Sequence, residues 1–238
     1  MFLLKKQKIT LDAFTYHSGV HEHFPIVEAN KCFPQWWKDL PKVKEVRRTR
    51  ILPLSIPMGT AKTCAGIIAN YTHGFIMPMW SDLIIGTSER GDFTHEYAAS
   101  QLMPSITKHE DDTINRHGIA LKIATPWMFK EKSGVDFYLT SPFYNTLDKV
   151  NRVTTTPGVI NFRDQNTVNM NIMLPHADSV LRYDAGEPVL HLIPLTDKEV
   201  RIVCHKVSKE EYDDIYLSHY RSSFVNTYTK QKKRCPFH

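Results

Sequence analysis

The sequence predicts a mainly β protein, folded as a single β-sandwich or jelly-roll-like domain with short helices. Residues 158–206 divide into strand-length runs separated by short polar turns. Over Thr167–Leu174 the apolar residues alternate with mostly polar ones, which is the period of a strand with one buried face. The 14 prolines and 12 phenylalanines suit many turns and aromatic packing between strands better than a helical bundle.

The end of this stretch predicts a hairpin. Val189–Leu195 is almost continuously apolar, which is typical of a strand covered on both faces. Thr196–Glu199 is a short polar turn that leads into a second strand, Val200–Val207. Because Pro194 has no N–H to donate to a ladder, we expect it at a bulge or at an edge-facing position.

Further strands and short helices are predicted upstream. Trp80 is expected in the core, and the stretch 88–112 is expected to be mostly irregular. Short helices are predicted near 35–40 and 61–70, and the predicted strands are Ile9–Tyr16, two strands within Gly74–Ile85, Gly118–Thr125 and Val135–Thr140.

The last segment changes to a helical period. Ser208 and Glu211 have the spacing of a capping box. Apolar and aromatic residues then recur every three or four positions, which predicts an amphipathic helix from about 209 to 229. We therefore divide the chain into a β-rich domain, 1–207, and a C-terminal helix with a basic tail, 208–238, packed on the same domain.

Composition and charge limit the function classes. A net charge of +5 spread over 30 Lys and Arg residues does not indicate nucleic acid binding. The sequence shows no signal peptide and no apolar run that could span a bilayer, so neither secretion nor membrane binding is expected. The four cysteines form no CxxC pair, which favours reduced thiols.

One set of residues has the order of a non-haem iron site. His109 and Asp111 form a His-x-Asp pair, and His191 follows on a predicted strand. Two histidines and a carboxylate form the facial triad of Fe(II) oxygenases. Arg201, ten residues further on, could clamp the carboxylate of 2-oxoglutarate with a bidentate contact. A satisfied histidine in the core is the other interpretation of His191.

Other groups are less specific. His17, His21 and His23 lie close together in a predicted polar loop, but no fourth metal ligand accompanies them. Trp36 and Trp37 are expected to be core or interface aromatics. If both indoles were exposed, they would favour a protein partner, because aromatic anchors are enriched in interface cores.

Several phrases, in this order, resemble an uncharacterised family of β-rich proteins, a domain of unknown function encoded by phages and bacteria. They are Pro34–Pro41 (PQWWKDLP), Lys62–Asp82 (KTCAGIIANYTHGFIMPMWSD), Ile123–Trp127, Phe137–Asn145, Pro157–Ile160 and Ala185–Leu195 (AGEPVLHLIPL). The resemblance covers most of residues 25–195. It implies a phage-type origin, and hence a location in the host cytoplasm or the virion, and it implies no activity.

Two functions follow as hypotheses. The first is a phage-encoded, non-enzymatic structural or binding protein, associated with the virion, that needs no cofactor and acts by self-association or on a protein partner. The second is an oxygenase with Fe(II) and 2-oxoglutarate, using His109, Asp111 and His191 as metal ligands and Arg201 as the co-substrate clamp.

Overall fold

The computed structural model describes residues 8–47, 55–98, 105–149 and 153–217. It confirms a mainly β protein, with 43% strand against 23% helix. The strands are β1 (Ile9–Thr15), β2 (Val27–Glu28), β3 (Val43–Arg47), β4 (Ser55–Gly59), β5 (Phe75–Pro78), β6 (Leu83–Thr87), β7 (Phe93–Tyr97), β8 (Ile106–Lys108), β9 (Ile119–Lys130), β10 (Asp136–Thr140), β11 (Thr154–Thr155), β12 (Gly158–Asn161), β13 (Thr167–Leu174), β14 (Ser179–Tyr183), β15 (Pro188–Pro194) and β16 (Val200–Lys206).

The helices are short. They are α1 (Ser18–His23), α2 (Gln35–Asp39), α3 (Ala65–Thr72), α4 (Asp112–Asn115) and α5, which is described over residues 209–217. Single 3-10 turns lie at Ala29–Lys31, Ala61–Thr63, Phe143–Asn145 and Leu147–Lys149. Within the described ranges, no helix is long and apolar enough to cross a membrane.

The strands form several sheets. The first sheet has the order β11-β13-β9-β1-β16, with β8 also paired to β9, and the second has the order β12-β10-β15-β5-β2. A three-stranded sheet has the order β14-β6-β7, and β3 pairs with β4. The pairing of β1 with β16 is parallel, whereas the other pairings are antiparallel.

The predicted hairpin between β15 and β16 is wrong. β15 lies inside the second sheet, between β10 and β5, whereas β16 lies at an edge of the first sheet beside β1. Four successive residues of β15 are buried, as predicted, and β15 pairs with β10 on one side and with β5 on the other. The polar turn therefore carries the chain from one sheet to the other, and the N–H of Leu195 donates to Asp136 O at 2.8 Å.

Side chains from three sheets share one apolar core. The alternation predicted for β13 is confirmed, since its apolar set is at most 2% exposed, and Trp80 is buried as expected. The first sheet contributes Leu11, Leu121, Phe129, Val168 and Met170, the second contributes Phe75, Phe137 and Leu192, and the three-stranded sheet contributes Leu83, Ile85 and Leu181.

Two stretches expected to be irregular contain regular elements. The segment from His17 to His23 contains α1, because Val20 is buried in the core and anchors the turn. The stretch 88–112 contains β7 and β8, whose pairing with β6 and β9 a local pattern does not reveal. Among the described residues, Cys32, Cys64 and Cys204 are free cysteines.

The helix start predicted at the C-terminal end is confirmed. The backbone N–H of Glu211 donates to Ser208 Oγ at 3.1 Å, which makes Ser208 the N-cap of α5. The amide of Asn166 donates to Ile215 O at 3.1 Å, so α5 is held against the first sheet. The predicted extension to 229 and the basic tail lie outside the described residues.

Candidate functional site

Two of the predicted iron ligands, His109 and Asp111, make hydrogen bonds within their own turn. Asp111 is the N-cap of α4, since its Oδ1 accepts the N–H of Thr113 at 2.8 Å. The hydrogen bonds from Thr113 hold the pKa of Asp111 below its usual value. The Nδ1 of His109 accepts the N–H of Asp111 at 3.1 Å. Both side chains thus stabilise the turn between β8 and α4.

The third predicted ligand, His191, is a core residue. It is fully buried on β15, and its Nε2 donates to the carbonyl oxygen of His73 at 2.9 Å. Its ring lies 6.5 Å from the ring of Tyr71, and its Nδ1 has no hydrogen-bond partner among the described residues. Burial lowers the pKa of His191, so the imidazole stays neutral.

The predicted ligands do not come together. Arg201 lies on the edge strand β16, where its Nε donates to Thr10 Oγ1 at 3.0 Å. A group of three or more His, Cys, Asp and Glu side chains that could hold a metal is absent from the described residues. Those residues include His109, Asp111 and His191 as well as the three histidines around α1, so neither sequence-based metal hypothesis has a ligand set in this arrangement.

Replacing His191 with phenylalanine is expected to flatten the pH dependence of stability. In the wild type, the unfolded imidazole binds a proton below its ordinary pKa of 6.5 while the buried ring does not, so stability falls as the pH falls below that value. His191→Phe removes this effect, although it leaves the His73 carbonyl unpaired at a cost of about 1–2 kcal/mol. Urea unfolding at about pH 7.5 measures the loss of stability, and the comparison with unfolding at about pH 5.5 measures the change in pH dependence.

The control for this experiment is His23→Phe, because His23 is exposed on α1. The control should unfold with the pH dependence of the wild type. Equal losses of stability on acidification in the wild type and in His191→Phe would contradict the interpretation of His191 as a neutral core residue.

A layer of aromatic side chains covers the face of the second sheet that points away from the shared apolar core, which we call the main core. On β5, Phe75 and Met77 belong to the main core, so Ile76 between them projects from the other face. Tyr71, from α3, is fully buried over this face beside His191. The ring of Phe33 stacks on Tyr71 with centroids 4.7 Å apart. This layer fixes α3 and the segment around Phe33 on the sheet.

The two adjacent indoles have different environments. Trp37 stacks on Phe33 with centroids 4.2 Å apart, and its Nε1 donates to Ala61 O at 3.1 Å. Trp37 is therefore half-buried, whereas Trp36 is 36% exposed. The Nε1 of Trp36 donates to Tyr144 O at 2.9 Å, which ties α2 to the turn after β10. The condition that both indoles be exposed is therefore not met, because Trp36 is exposed and Trp37 is not.

Hydrogen bonds of Asn145 anchor the turn that lies beside Trp36. The hydroxyl of Tyr71 donates to Asn145 Oδ1, and the amide of Asn145 donates to Cys32 O at 2.9 Å. The ring of Tyr144 lies 6.4 Å from that of Trp36 and 5.5 Å from that of Phe143. Phe143 is 48% exposed. We call Trp36, Phe143 and Tyr144 the aromatic surface.

The sequence contained part of this signal. Phe143 and Tyr144 follow a strand and a proline. A polar turn is an unusual place for core residues, so two neighbouring aromatics there indicate a position at the surface. Their proximity to Trp36, more than 100 positions earlier in the chain, depends on the hydrogen bond from Trp36 to Tyr144, which no local pattern predicts.

A scan against protein-family models found no match, and a search of the curated proteins found no match either.

Proposed function

We propose that this chain is a phage-encoded, non-enzymatic structural or binding protein, associated with the virion, whose aromatic surface contacts a protein partner such as a second copy of the chain. The observation that supports this function is the exposure of Trp36 and Phe143 on anchored backbone. The phage origin rests on the resemblance described above. A β-sandwich or jelly-roll-like arrangement, in which the first and second sheets enclose the shared core, belongs to the same proposal.

The chemistry of the aromatic surface suits an interface. Aromatic side chains, above all Trp and Tyr, dominate the energetics of protein interfaces because they bury a large area with few rotatable bonds. Here the hydrogen bonds of Trp36 and Asn145 already fix the backbone that carries the rings. Binding therefore orders little that was mobile, and more of the gain from burial is left as affinity.

Self-association is the direct test. We expect sedimentation velocity to show a concentration-dependent dimer or larger assembly of the wild-type chain. The double variant Trp36→Ala/Phe143→Ala should dissociate at concentrations at least about tenfold higher, since truncation of an aromatic anchor costs about 2 kcal/mol or more. The matched control is Val180→Ala on β14, because Val180 is 63% exposed and β14 belongs to a different sheet from β10, whose following turn carries Phe143 and Tyr144.

Two results together would contradict the proposed function. The wild-type chain would stay monomeric at every concentration, and immunoblotting would not detect it in purified phage particles. An assembly that the double variant leaves unchanged would contradict the assignment to the aromatic surface.

For the oxygenase hypothesis, anaerobic calorimetric titration with Mn(II) is expected to show no saturable binding. Tight binding that 2-oxoglutarate strengthens and His109→Ala abolishes would establish that hypothesis instead.

A further inference from the structure

A β-bulge opens the first sheet between β9 and β13. The register of the two strands shifts between Thr167 and Asn169, so that residues 125–127 of β9 face only Val168. Pro126, which cannot donate to a ladder, lies within this bulge, where its missing N–H is tolerated. Bulges bend a strand and redirect its side chains, and they are enriched next to functional sites.

The bulge forms one wall of a cleft, and α5 forms the other. The cleft has a volume of about 610 Å³, which falls within the range of about 300–1,000 Å³ of small-molecule sites. We call it the bulge cleft, and the residues that matter for its chemistry are Tyr16, His17, Thr125, Asn169, Lys209 and Tyr212. It shares no residue with the aromatic surface.

His17 presents unused hydrogen-bonding groups to the bulge cleft. The residue is 8% exposed, and its ring lies 3.9 Å from the ring of Tyr16. Its backbone N–H donates to Thr15 Oγ1 at 3.3 Å, but its ring nitrogens make no hydrogen bond with any described residue. No ring nitrogen of His17 counts as a fully buried atom without a partner, so the imidazole is a hydrogen-bonding group on the wall of the cleft that a ligand can reach.

The bulge cleft carries no net formal charge. Lys209 forms an ion pair with Asp213, so the two charges cancel. Burial first, and then the positive charge of Lys209, lower the pKa of His17, which leaves a neutral ring with one donor and one acceptor nitrogen. Burial raises the pKa of the Tyr212 hydroxyl, which therefore stays protonated. The remaining groups that we name, Thr125 and Asn169, are uncharged.

This lining selects among ligand classes. A charged ligand would compete with the Lys209–Asp213 pair, and it would find no unpaired charge of opposite sign among the named residues. A nucleobase needs an open aromatic face, but the ring of Tyr16 is already contacted by His17, by the edge of Tyr212 at 4.8 Å and by the Lys209 ammonium at 5.0 Å. Hydroxyl, amide and imidazole groups instead match the alternating donors and acceptors of a polyol.

We propose that the bulge cleft is a binding site for a neutral saccharide, one or two sugar rings in size, with His17 and Asn169 as hydrogen-bonding residues. Asn169 is exposed on β13 at the bulge, and its amide makes no hydrogen bond with a described residue. Both residues can therefore bond sugar hydroxyls without breaking contacts within the chain. The site is separate from the aromatic surface, so it does not depend on the function proposed above.

Saturation-transfer NMR on the full chain tests the site. The neutral probes are glucose, galactose, N-acetylglucosamine and maltose, and the comparison probes are uridine and glucose 6-phosphate. We expect transfer to at least one neutral sugar, with a stronger signal than for either comparison probe. His17→Phe and Asn169→Ala should each weaken the apparent affinity by roughly tenfold, which corresponds to the loss of about one hydrogen bond.

The matched control is His23→Phe, which makes the same substitution on the exposed side of α1 and should bind like the wild type. Asn169→Ala keeps the test valid if His17→Phe does not fold, because the Asn169 side chain is exposed. The proposal is overturned by absence of transfer to all four sugars, by stronger transfer to uridine or to the phosphate ester, or by affinity that Asn169→Ala leaves unchanged.

Discussion

Replacing Glu131 with alanine is expected to lower the free energy of unfolding by about 3 kcal/mol. The Glu131 carboxylate is 2% exposed and accepts the backbone N–H groups of Ser133, Gly134 and Val135 at 2.5, 2.6 and 3.0 Å. The variant leaves these donors without their acceptor. The turn they form carries the chain from β9 in the first sheet to β10 in the second, so its loss affects both sheets.

The same residue predicts an acid-sensitive component of stability. Burial alone would raise the pKa of Glu131, but the hydrogen bonds from Ser133, Val135 and Gly134 outweigh burial and hold it below the usual 4.5. The stabilisation is therefore complete above about pH 4.5 and is lost as the pH falls through the lower folded-state pKa. Chemical denaturation at pH values across this range measures the loss of stability.

Glu131→Gln should lose this acid-dependent component, because an amide does not titrate in this range. The control is Glu22→Gln, since Glu22 is exposed on α1. We expect the control to keep both the stability and the acid response of the wild type. If Glu131→Ala unfolds at the same denaturant concentration as the wild type, the carboxylate does not anchor the turn.

Trp127→Ala is expected to destabilise the protein by about 4 kcal/mol. Trp127 is 1% exposed in the main core, and it lies in the bulge next to Thr125 and Pro126, which line the bulge cleft. Truncation leaves a large cavity directly behind that wall. Guanidinium denaturation measures the loss, and we expect binding at the bulge cleft to weaken in the same variant.

Trp127→Phe separates packing from hydrogen bonding. The indole Nε1 of Trp127 is buried and has no hydrogen-bond partner among the residues described. Phenylalanine fills most of the volume and removes the unpaired donor, so the net loss should stay below about 1.5 kcal/mol. A loss as large as that of Trp127→Ala would show that the indole N–H contributes to stability.

The candidate sites were only partly predictable from sequence. The interpretation of His191 as a core histidine agrees with its burial and with its bond to His73, but its Nδ1 has no partner among the described residues, so the ring is only half satisfied. The spacing of His109, Asp111 and His191 suggested a metal site, but spacing along a chain carries no information about which sheet each residue joins. The pairing of Trp36 with Tyr144 and the approach of α5 to Tyr16 each join residues more than 100 positions apart.

The sequence by itself determined which residues of β13 and β15 are buried and where α5 begins. The alternation in β13, the apolar run of β15 and the cap at Ser208 depend on neighbouring residues alone, so they are readable locally. Only the tertiary structure decided which strands pair. The partner of β16 is β1, whose Thr10 lies 191 residues before Arg201. Such a pairing depends on how the whole core packs, because each strand offers the same backbone donors and acceptors to any neighbour.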